Sequence, residues 1–174
     1  NMEFFKDERQ IYFAKMNEKA IIPSKKDEDA GYDIYACFEE DFIKLNPHQT
    51  VLIPTKIAWA CHPNFYMQIE ERSSTGSKGI KRSAGIIDSG YRGEIKIAIT
   101  NSNDRELYFS NLKEDQLKQK YDIEENSIIY PTTKAIAQGV IHRVEKMKVN
   151  EIDLESLLKI PSERGEFGFG STNK

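Results

Sequence analysis

Residues 85–94, with the sequence GIIDSGYRGE, are the most informative stretch of this chain. Gly90 and Gly93 suit a sharp β-turn that lets a ligand approach the backbone closely. After the turn, apolar and polar residues alternate over residues 94–100, as they do in a β-strand. Asp88 is therefore expected at a corner beside a strand, a good place for a fixed general base. Taken alone, the motif is also compatible with an Asp that caps its own turn.

The composition predicts one ordinary soluble domain over residues 1–174, with 39% hydrophobic and 30% charged residues. A net charge of −3 gives no indication of nucleic-acid binding. No apolar run approaches the ~18 residues that a membrane span needs, so no membrane partner is expected. Glu3, Lys6, Asp7 and Glu8 argue against a signal peptide, which predicts a cytoplasmic location, or the host cytoplasm if the protein is viral.

The cysteines and histidines give no indication of a disulfide or a zinc site. Cys37 and Cys61 lie in apolar surroundings without Cys-x-x-Cys spacing, which favours buried free thiols in a reducing compartment over a disulfide. His48, His62 and His142 form no ligand spacing with one another or with a cysteine. We therefore expect no zinc site.

Most of the chain has the pattern of short strands separated by turns, with prolines between several of them. The clearest candidate strands are residues 50–53, 57–60, 65–70, 94–100 and 138–144. Many short strands at regular spacing predict an all-β sandwich or barrel, here a jelly roll.

Three segments depart from the strand pattern. Residues 112–126 are charged and contain few apolar residues, which predicts either a short surface helix or an excursion between two strands. Residues 151–160 have apolar spacing compatible with a brief helix. Residues 162–174 contain several glycines and serines and cannot bury themselves alone, so we expect a mobile C-terminal arm.

Residues 85–94 resemble the third sequence motif of the trimeric, all-β dUTPases. Four further segments resemble the other motifs of that family, in the family's order: residues 30–36 (AGYDIYA), 72–76 (RSSTG), 137–138 (AQ) and 164–172 (RGEFGFGST). The resemblance implies a jelly-roll-like β-barrel with a short helix and a flexible, glycine-rich C-terminal tail. Compact members of the family have a shorter link between the third and fourth motifs, so residues 111–127 are interpreted as an insertion.

The resemblance also implies the reaction, which is hydrolysis of dUTP to dUMP and pyrophosphate by Mg-assisted attack of water on the α-phosphorus. Such a reaction limits uracil incorporation into DNA and supplies dUMP. It depends mainly on positioning and on neutralising charge. Asp88 would act as the general base on the attacking water. Tyr91 would lie against the deoxyribose and exclude the 2′-hydroxyl of UTP, although outside this motif a tyrosine would be assigned to core packing.

The phosphate-binding candidates are Arg72 and Arg164, because a guanidinium binds phosphate oxygens in bidentate fashion and stays charged. Backbone amides of the small-residue turn after Arg72 could bind phosphate oxygens as well. Phe169 would stack on the uracil, and uracil recognition would otherwise depend on the backbone of a strand over residues 83–87. The remaining substrate-binding candidates are Ser73, Ser74, Gly76, Gly85, Ile87, Gln138, Gly170, Ser171 and Thr172.

Mg²⁺ is the cofactor that the resemblance implies. This ion keeps several waters and needs few protein ligands, so the triphosphate would hold most of it. Asp33 and Gln138 would contact it through water, and no direct protein ligand is expected.

The resemblance further implies a homotrimer in which each active site is shared among subunits and the tail crosses to a neighbour. Closed cyclic symmetry is the usual result of such a repeated contact. Several residues depart from the family pattern: Glu71 replaces a proline, Arg82 stands where many relatives have an asparagine, and Phe167 and Asn173 replace glycines. Residues 133–135 (TKA) also replace the usual triplet of glycine, acid and base before the fourth motif. These departures bear on affinity and on uracil selectivity.

Two other functions stay open from the sequence. A dCTP deaminase of the same fold is disfavoured, because Ala98 stands where that branch has its catalytic glutamate and Ser89 stands where it has a proline. The second is an interaction protein on a dUTPase scaffold, such as a phage regulator that contacts a protein partner through residues 111–127. A pull-down that compares the intact chain with a chain lacking that segment would distinguish this interaction protein from an enzyme alone.

Overall fold

A computed structural model describes residues 2–170, which form mainly short β-strands after an initial 3₁₀ turn (Met2–Phe5). The strands are β1 (Ile11–Lys15), β2 (Gly31–Ile34), β3 (Phe42–Leu45), β4 (Thr50–Pro54), β5 (Ile57–Cys61), β6 (Phe65–Glu70), β7 (Ile80–Ser83), β8 (Ile86–Ile87), β9 (Lys96–Asn101), β10 (Leu107–Ser110), β11 (Ile128–Pro131) and β12 (Ala137–Arg143). The helices are α1 (Ser73–Gly76), α2 (Glu114–Lys120) and α3 (Leu154–Leu158).

Within residues 2–170 these strands form four sheets, with the orders β1-β5, β11-β10-β3, β2-β12-β6-β8 and β4-β9-β7. The pairing is antiparallel except between β10 and β11. The predicted all-β, jelly-roll-like fold is confirmed. The barrel part of that prediction is not, because the sheets do not join into a closed barrel. The short strands pair with one or two neighbours each, so the hydrogen bonding does not run continuously around the molecule.

The core lies between the sheets and follows the period of two that the sequence indicates. In β5, Ile57, Trp59 and Cys61 are buried, while the two residues between them are half-buried. The predicted strands are present with their ends shifted by at most two residues. The strand expected over residues 94–100 begins later, at Lys96, because Glu94 binds another loop.

The strand expected over residues 83–87 is interrupted, which corrects the sequence-based prediction. Ser83 pairs with Ala98 of β9, whereas Ile86 pairs with Gln68 of β6. Between them Ala84 has a φ of 47°, in the left-handed region that non-glycine residues rarely adopt. The chain therefore leaves one sheet and joins another within three residues.

The segment over residues 111–127 contains the helix α2. Of the two structures that the sequence allowed for this segment, a short surface helix or an excursion between strands, the helix is therefore the one that forms. Leu117 is fully buried, and the Asp41 carboxylate accepts hydrogen bonds from Lys120 Nζ (2.7 Å) and Tyr121 OH (2.6 Å). These two bonds hold the pKa of Asp41 below its usual value. The segment is thus packed against the start of β3, and its status as an insertion stays a prediction.

The chain divides into two compact units, the first ending at Val144 and the second beginning at Glu145. The helix expected within residues 151–160 is confirmed as α3, and the Asp153 carboxylate caps it by accepting from Ser156 N at 2.7 Å. A single domain over residues 1–174 and a mobile arm over residues 162–174 stay predictions.

The second unit exposes many large apolar side chains: Met147, Val149, Ile152, Leu154, Leu157, Leu158 and Ile160.

In the first unit, Cys37 is half-buried and Cys61 is buried, and both are free, as the sequence predicted. Burial raises the pKa of Cys61 to about 11, which makes its thiol a poor nucleophile at neutral pH. No helix among residues 2–170 is long and apolar enough to cross a membrane.

Candidate active site

Asp88 lies on a tight turn directly after β8. Tyr91 N donates to Asp88 O at 3.1 Å, which closes the turn, and Ile87 pairs with Met67 of β6, which anchors its start. The Asp88 side chain is exposed, and within residues 2–170 its carboxylate has no hydrogen bond or ion pair. The carboxylate therefore does not cap its own turn, and it is available to react.

Tyr91 is fixed across the same turn. Its hydroxyl donates to Glu94 O at 2.7 Å, and a Cβ on Gly93 would lie only 2.6 Å from that hydroxyl oxygen. Glycine at residue 93 is therefore required for the ring to occupy this position. The ring is 45% exposed, so Tyr91 is not a core residue.

Glu94 anchors the turn to the rest of the molecule. Its carboxylate accepts from Thr55 N (3.3 Å) and Lys56 N (3.2 Å), and it forms an ion pair with Lys56 Nζ at 3.7 Å. Its side chain is only 11% exposed, so these contacts are shielded from water. A role for Glu94 could not be predicted from the sequence, although it belongs to the motif, because its partners lie some forty positions earlier in the chain.

Arg92 fastens the turn from its other side by donating to Ser89 O at 2.6 Å. Gly90 differs from its neighbours, since no atom lies within 4 Å of the position that its Cβ would occupy. The turn is thus held by Arg92, Glu94 and Tyr91, while the space beside Gly90 and Asp88 is open to a ligand.

An open cavity of about 420 Å³, which we name the Asp88 pocket, lies against this turn. It is lined by Leu52, Ile86, Ile87, Asp88, Tyr91, Glu94 and Lys96. The sequence analysis identified Ile87, Asp88 and Tyr91 but missed Leu52 and Lys96. Their presence depends on the pairing of β4 with β9, which no local sequence pattern indicates.

A second cavity, of about 250 Å³, is formed by the segments that resemble the first, second and fourth motifs. This Arg72 pocket is lined by Asp29, Ala30, Gly31, Asp33, Arg72, Ser73 and Gln138. Gln138 of β12 lies opposite Asp33 of β2 and opposite Glu70 of β6, which explains why the three segments meet.

Arg72 is held in the pocket by three contacts. Its Nε lies 3.3 Å from Asp33 Oδ1, and its Nη1 donates to Ala135 O (3.1 Å) and to Ser74 Oγ (3.4 Å). The residues after Arg72 form the short helix α1 rather than the expected turn. Thr75, which the sequence analysis did not select, is fully buried, and its hydroxyl bonds both Arg72 N and Arg72 O at 3.0 Å.

The amide of Gln138 is oriented by the backbone. Its Nε2 donates to Glu71 O at 2.9 Å, and a Cβ on Gly31 would overlap its Oε1. The amide oxygen therefore lies over Gly31 at the wall of the pocket, and glycine is needed there. Residues 2–170 contain no cluster of three or more His, Cys, Asp or Glu that could hold a metal ion by itself.

Within one chain the two pockets remain separate. Ile87 of the Asp88 pocket lies opposite Met67 of β6, and Gln138 of the Arg72 pocket lies opposite Glu70 of the same strand. Met67 and Glu70 are three residues apart, which is about 10 Å along the strand.

Two other predicted residues lie beside the pockets. The Gly85 carbonyl accepts a hydrogen bond from Ile69 N at 2.7 Å, and Gly76 is the last residue of α1.

The remaining predicted residues belong to the second unit. The Arg164 Nε donates to Phe167 O at 2.5 Å, and the Phe169 side chain is fully exposed. Phe169 and Gly170 both have left-handed backbones, with φ values of 53° and 85°. Ser171 and Thr172 lie outside the described residues.

Comparison with known proteins identifies the family. The model of the dUTPase family matches residues 17–113. A deoxyuridine 5′-triphosphate nucleotidohydrolase of Leptospira interrogans is 31% identical over 94% of this chain and 98% of its own length. The enzyme of that name from Clostridium acetobutylicum is 34% identical over 91% of this chain and 92% of its own length. The Pol polyprotein of caprine arthritis encephalitis virus is 32% identical over 99% of this chain, which spans 13% of that polyprotein.

Solved structures show the same fold. The dUTPase of Staphylococcus bacteriophage 80alpha with dUPNHPP superposes with a TM-score of 0.70 at 24% identity, covering 94% of this chain and 98% of the phage chain. Native EIAV dUTPase superposes with a TM-score of 0.59 at 23% identity, covering 83% and 98% of the two chains. With the family match over residues 17–113 and relatives above 30% identity over nearly its whole length, this chain belongs to the dUTPase family.

Proposed function

We propose that this protein is a dUTP diphosphatase, which hydrolyses dUTP to dUMP and pyrophosphate. The observation that carries the proposal is the Asp88 carboxylate, exposed on a fixed turn and without a partner among residues 2–170. The curated relatives named deoxyuridine 5′-triphosphate nucleotidohydrolase support the same substrate. The activity would limit uracil incorporation into DNA and supply dUMP.

Asp88 acts in the chemical step as general base. It accepts a proton from a water molecule as the water oxygen forms a bond to the α-phosphorus. The bond between the α-phosphorus and the oxygen that bridges to the β-phosphorus breaks, and pyrophosphate leaves with that oxygen. A carboxylate without a protein partner suits this role, because no hydrogen bond has to break before it takes the proton.

Tyr91 selects the sugar. Its ring is half exposed at the rim of the Asp88 pocket and held by the bond from its hydroxyl to Glu94 O. A ring fixed in this way lies against deoxyribose and leaves no room for a 2′-hydroxyl. The backbone around Gly85 and Ile87 would bind the uracil.

The Arg72 pocket binds phosphate oxygens. The Arg72 guanidinium is held by Ala135 O, so its remaining donors are aimed with little loss of side-chain freedom. Ser73, Ser74 and Gly76 supply small side chains and amides beside it. In the tail, Arg164, Ser171 and Thr172 would add contacts to the γ-phosphate, and Phe169, next to Gly170, would stack on the uracil.

The residues of the Arg72 pocket fit a magnesium ion that the triphosphate holds. The pocket offers the carboxylate of Asp33 and the oriented amide oxygen of Gln138, which are suitable acceptors for metal-bound water. When bound, the ion neutralises phosphate charge that builds up in the reaction. Asp33 also pairs with Arg72, so one carboxylate positions both the cation site and the guanidinium.

A homotrimer with shared sites accounts for the separation of the two pockets. The Asp88 pocket of one subunit and the Arg72 pocket of another would face the same nucleotide, with the tail of a neighbour closing over it. The exposed apolar side chains between Met147 and Ile160 support a further contact surface in this assembly. Sedimentation is the test, and a stable, fully active monomer would contradict it.

The activity is tested by pyrophosphate release from dUTP with Mg²⁺. We expect turnover with dUTP, little turnover with UTP or dTTP, and no ammonia release from dCTP. The last expectation follows from Ala98, which has no acid–base group. Ammonia release from dCTP without pyrophosphate release from dUTP would reject the proposal.

A further inference from the structure

Glu70 and Glu71, the two acids directly before Arg72, are both tied to one residue of β7. Glu71 Oε1 accepts a hydrogen bond from Arg82 N at 3.1 Å. The Arg82 guanidinium binds Glu70 Oε1 through Nη2 at 3.2 Å. Glu71 and Arg82 are also two of the residues that depart from the family pattern, so the two departures are in direct contact.

Glu71 does not line the Arg72 pocket, but it contacts Gln138 in the pocket wall and two elements beside the pocket. Its carboxylate binds β7, its carbonyl accepts from Gln138 Nε2 at 2.9 Å, and its Cβ lies 3.3 Å from the position of a Cβ on Gly76. One residue therefore connects the amide that would face the magnesium waters with the helix that follows Arg72.

The anchor on β7 is rigid. Arg82 pairs with Ile99 of β9, a residue that is 1% exposed, and Ile80 at the start of β7 is fully buried. The donor to Glu71 is a backbone amide within this paired strand. The contact also turns the Glu71 carboxylate toward β7, away from the place where phosphates would bind, and the Arg82 guanidinium offsets the charge of Glu70.

We propose that Glu71 is a positioning residue of the Arg72 pocket, with the backbone amide of Arg82 as its anchor and the Glu70–Arg82 ion pair as a second, weaker tie. Glu71 holds the turn after Arg72 and the Gln138 amide at the spacing that a triphosphate requires. The proposal rests on the proposed function for the identity of the triphosphate. A misplacement of about 1 Å in such a site lowers the rate by about 10²-fold.

The test compares Glu71→Ala with Glu71→Gln. We measure kcat and KM for dUTP, and calorimetric binding of magnesium pyrophosphate and of deoxyuridine. Glu71→Ala should lower kcat/KM by about 10²-fold and weaken pyrophosphate binding by about tenfold, with deoxyuridine binding unchanged. Glu71→Gln keeps an acceptor for Arg82 N and should stay close to the wild type.

Arg82→Ala separates the two ties, because it keeps the backbone amide that binds Glu71 and removes the ion pair with Glu70. We expect it to weaken pyrophosphate binding less than Glu71→Ala does. A larger effect of Arg82→Ala would overturn the assignment, since the ion pair rather than Glu71 would then hold the pocket. Glu18→Ala, at an exposed glutamate outside both pockets, is the matched control.

Two further outcomes would reject the proposal. One is a folded Glu71→Ala protein that binds pyrophosphate as the wild type does. The other is an equal loss of pyrophosphate and deoxyuridine binding together with a lower Tm, which indicates a structural role only. Pyrophosphate binding requires no turnover, so a wild type that binds it but leaves dUTP intact counts against the proposed function and not against Glu71.

Discussion

The Asp88 pocket and the Arg72 pocket differ in how the charged residue that names each of them is held. In the Asp88 pocket, backbone carbonyls of the turn accept hydrogen bonds from Tyr91 and Arg92, while the Asp88 carboxylate has no partner among residues 2–170. In the Arg72 pocket, by contrast, the Arg72 guanidinium is paired with the Asp33 carboxylate. In the proposed reaction, the group that takes a proton is thus left free on a rigid support, whereas the guanidinium that would bind the phosphates is oriented before they arrive.

The largest expected effect comes from removing the free carboxylate. Asp88→Asn keeps the size and shape of the side chain but cannot act as a base, so kcat should fall by about 10²–10⁴-fold with dUTP still bound. Steady-state pyrophosphate release and calorimetry with a non-hydrolysable dUTP analogue measure the two quantities. Asp104→Asn, at an exposed aspartate paired with His48, is the control. Turnover within a few-fold of the wild type would remove Asp88 from its role.

The second prediction extends the comparison to the tail. A protein that ends at residue 163 lacks Arg164 and Phe169 and should lose about 100-fold or more in kcat, because closure over the substrate can no longer exclude water. Its thermal melt should match that of the full chain, since these residues lie outside the first compact unit, which ends at Val144. Unchanged turnover would show that the tail has no part in the site. An unfolded protein would show that the tail is structural.

The third prediction sharpens the role of the Asp88 pocket in sugar selection. Tyr91→Ala removes the ring that would exclude a 2′-hydroxyl, and it should narrow the ratio of kcat/KM for dUTP over UTP by about tenfold or more. Tyr91→Phe keeps the ring and loses only the bond to Glu94 O, so most of the ratio should remain. A ratio that is the same in all three proteins would contradict the assignment.

The smallest expected effect concerns the support of the Asp88 turn. Ala84→Gly removes the left-handed strain at this residue and should raise the free energy of unfolding by up to about 1 kcal/mol, after the greater chain entropy of glycine is subtracted. Urea unfolding measures it. Ala14→Gly, at an exposed residue of β1 without a left-handed backbone, should destabilise instead. A loss of stability in Ala84→Gly would indicate that the alanine methyl makes a contact worth more than the strain.

The sequence predicted the parts of the site that depend on neighbouring residues. Alternation within strands located β6 and β9, and the spacing of Asp88, Gly90, Tyr91 and Gly93 predicted a turn with an available acid. These features arise from local sterics and from side-chain period, which a short window of sequence contains.

The parts that escaped prediction depend on pairing between distant segments. Leu52 and Lys96 line the Asp88 pocket because of the register between β4 and β9. The Glu94 carboxylate accepts hydrogen bonds from the backbone amides of residues 55 and 56, which are far from it in sequence. Thr75 was within reach of sequence reasoning, since a threonine three residues after an arginine can bond its backbone. The break at Ala84 could not be predicted, because an alanine in the sequence gives no indication of a left-handed backbone conformation.

The break in the strand at Ala84 determines which neighbouring strand sets the orientation of Asp88. In a continuous strand, a pairing error of one residue turns every following side chain to the opposite face. Because the chain changes sheets at Ala84, a slip of β7 against β9 ends before β8, and Asp88 takes its direction from the pairing of β8 with β6 and from the contacts of its own turn. The proposed general base is thereby insulated from pairing errors in the adjacent sheet.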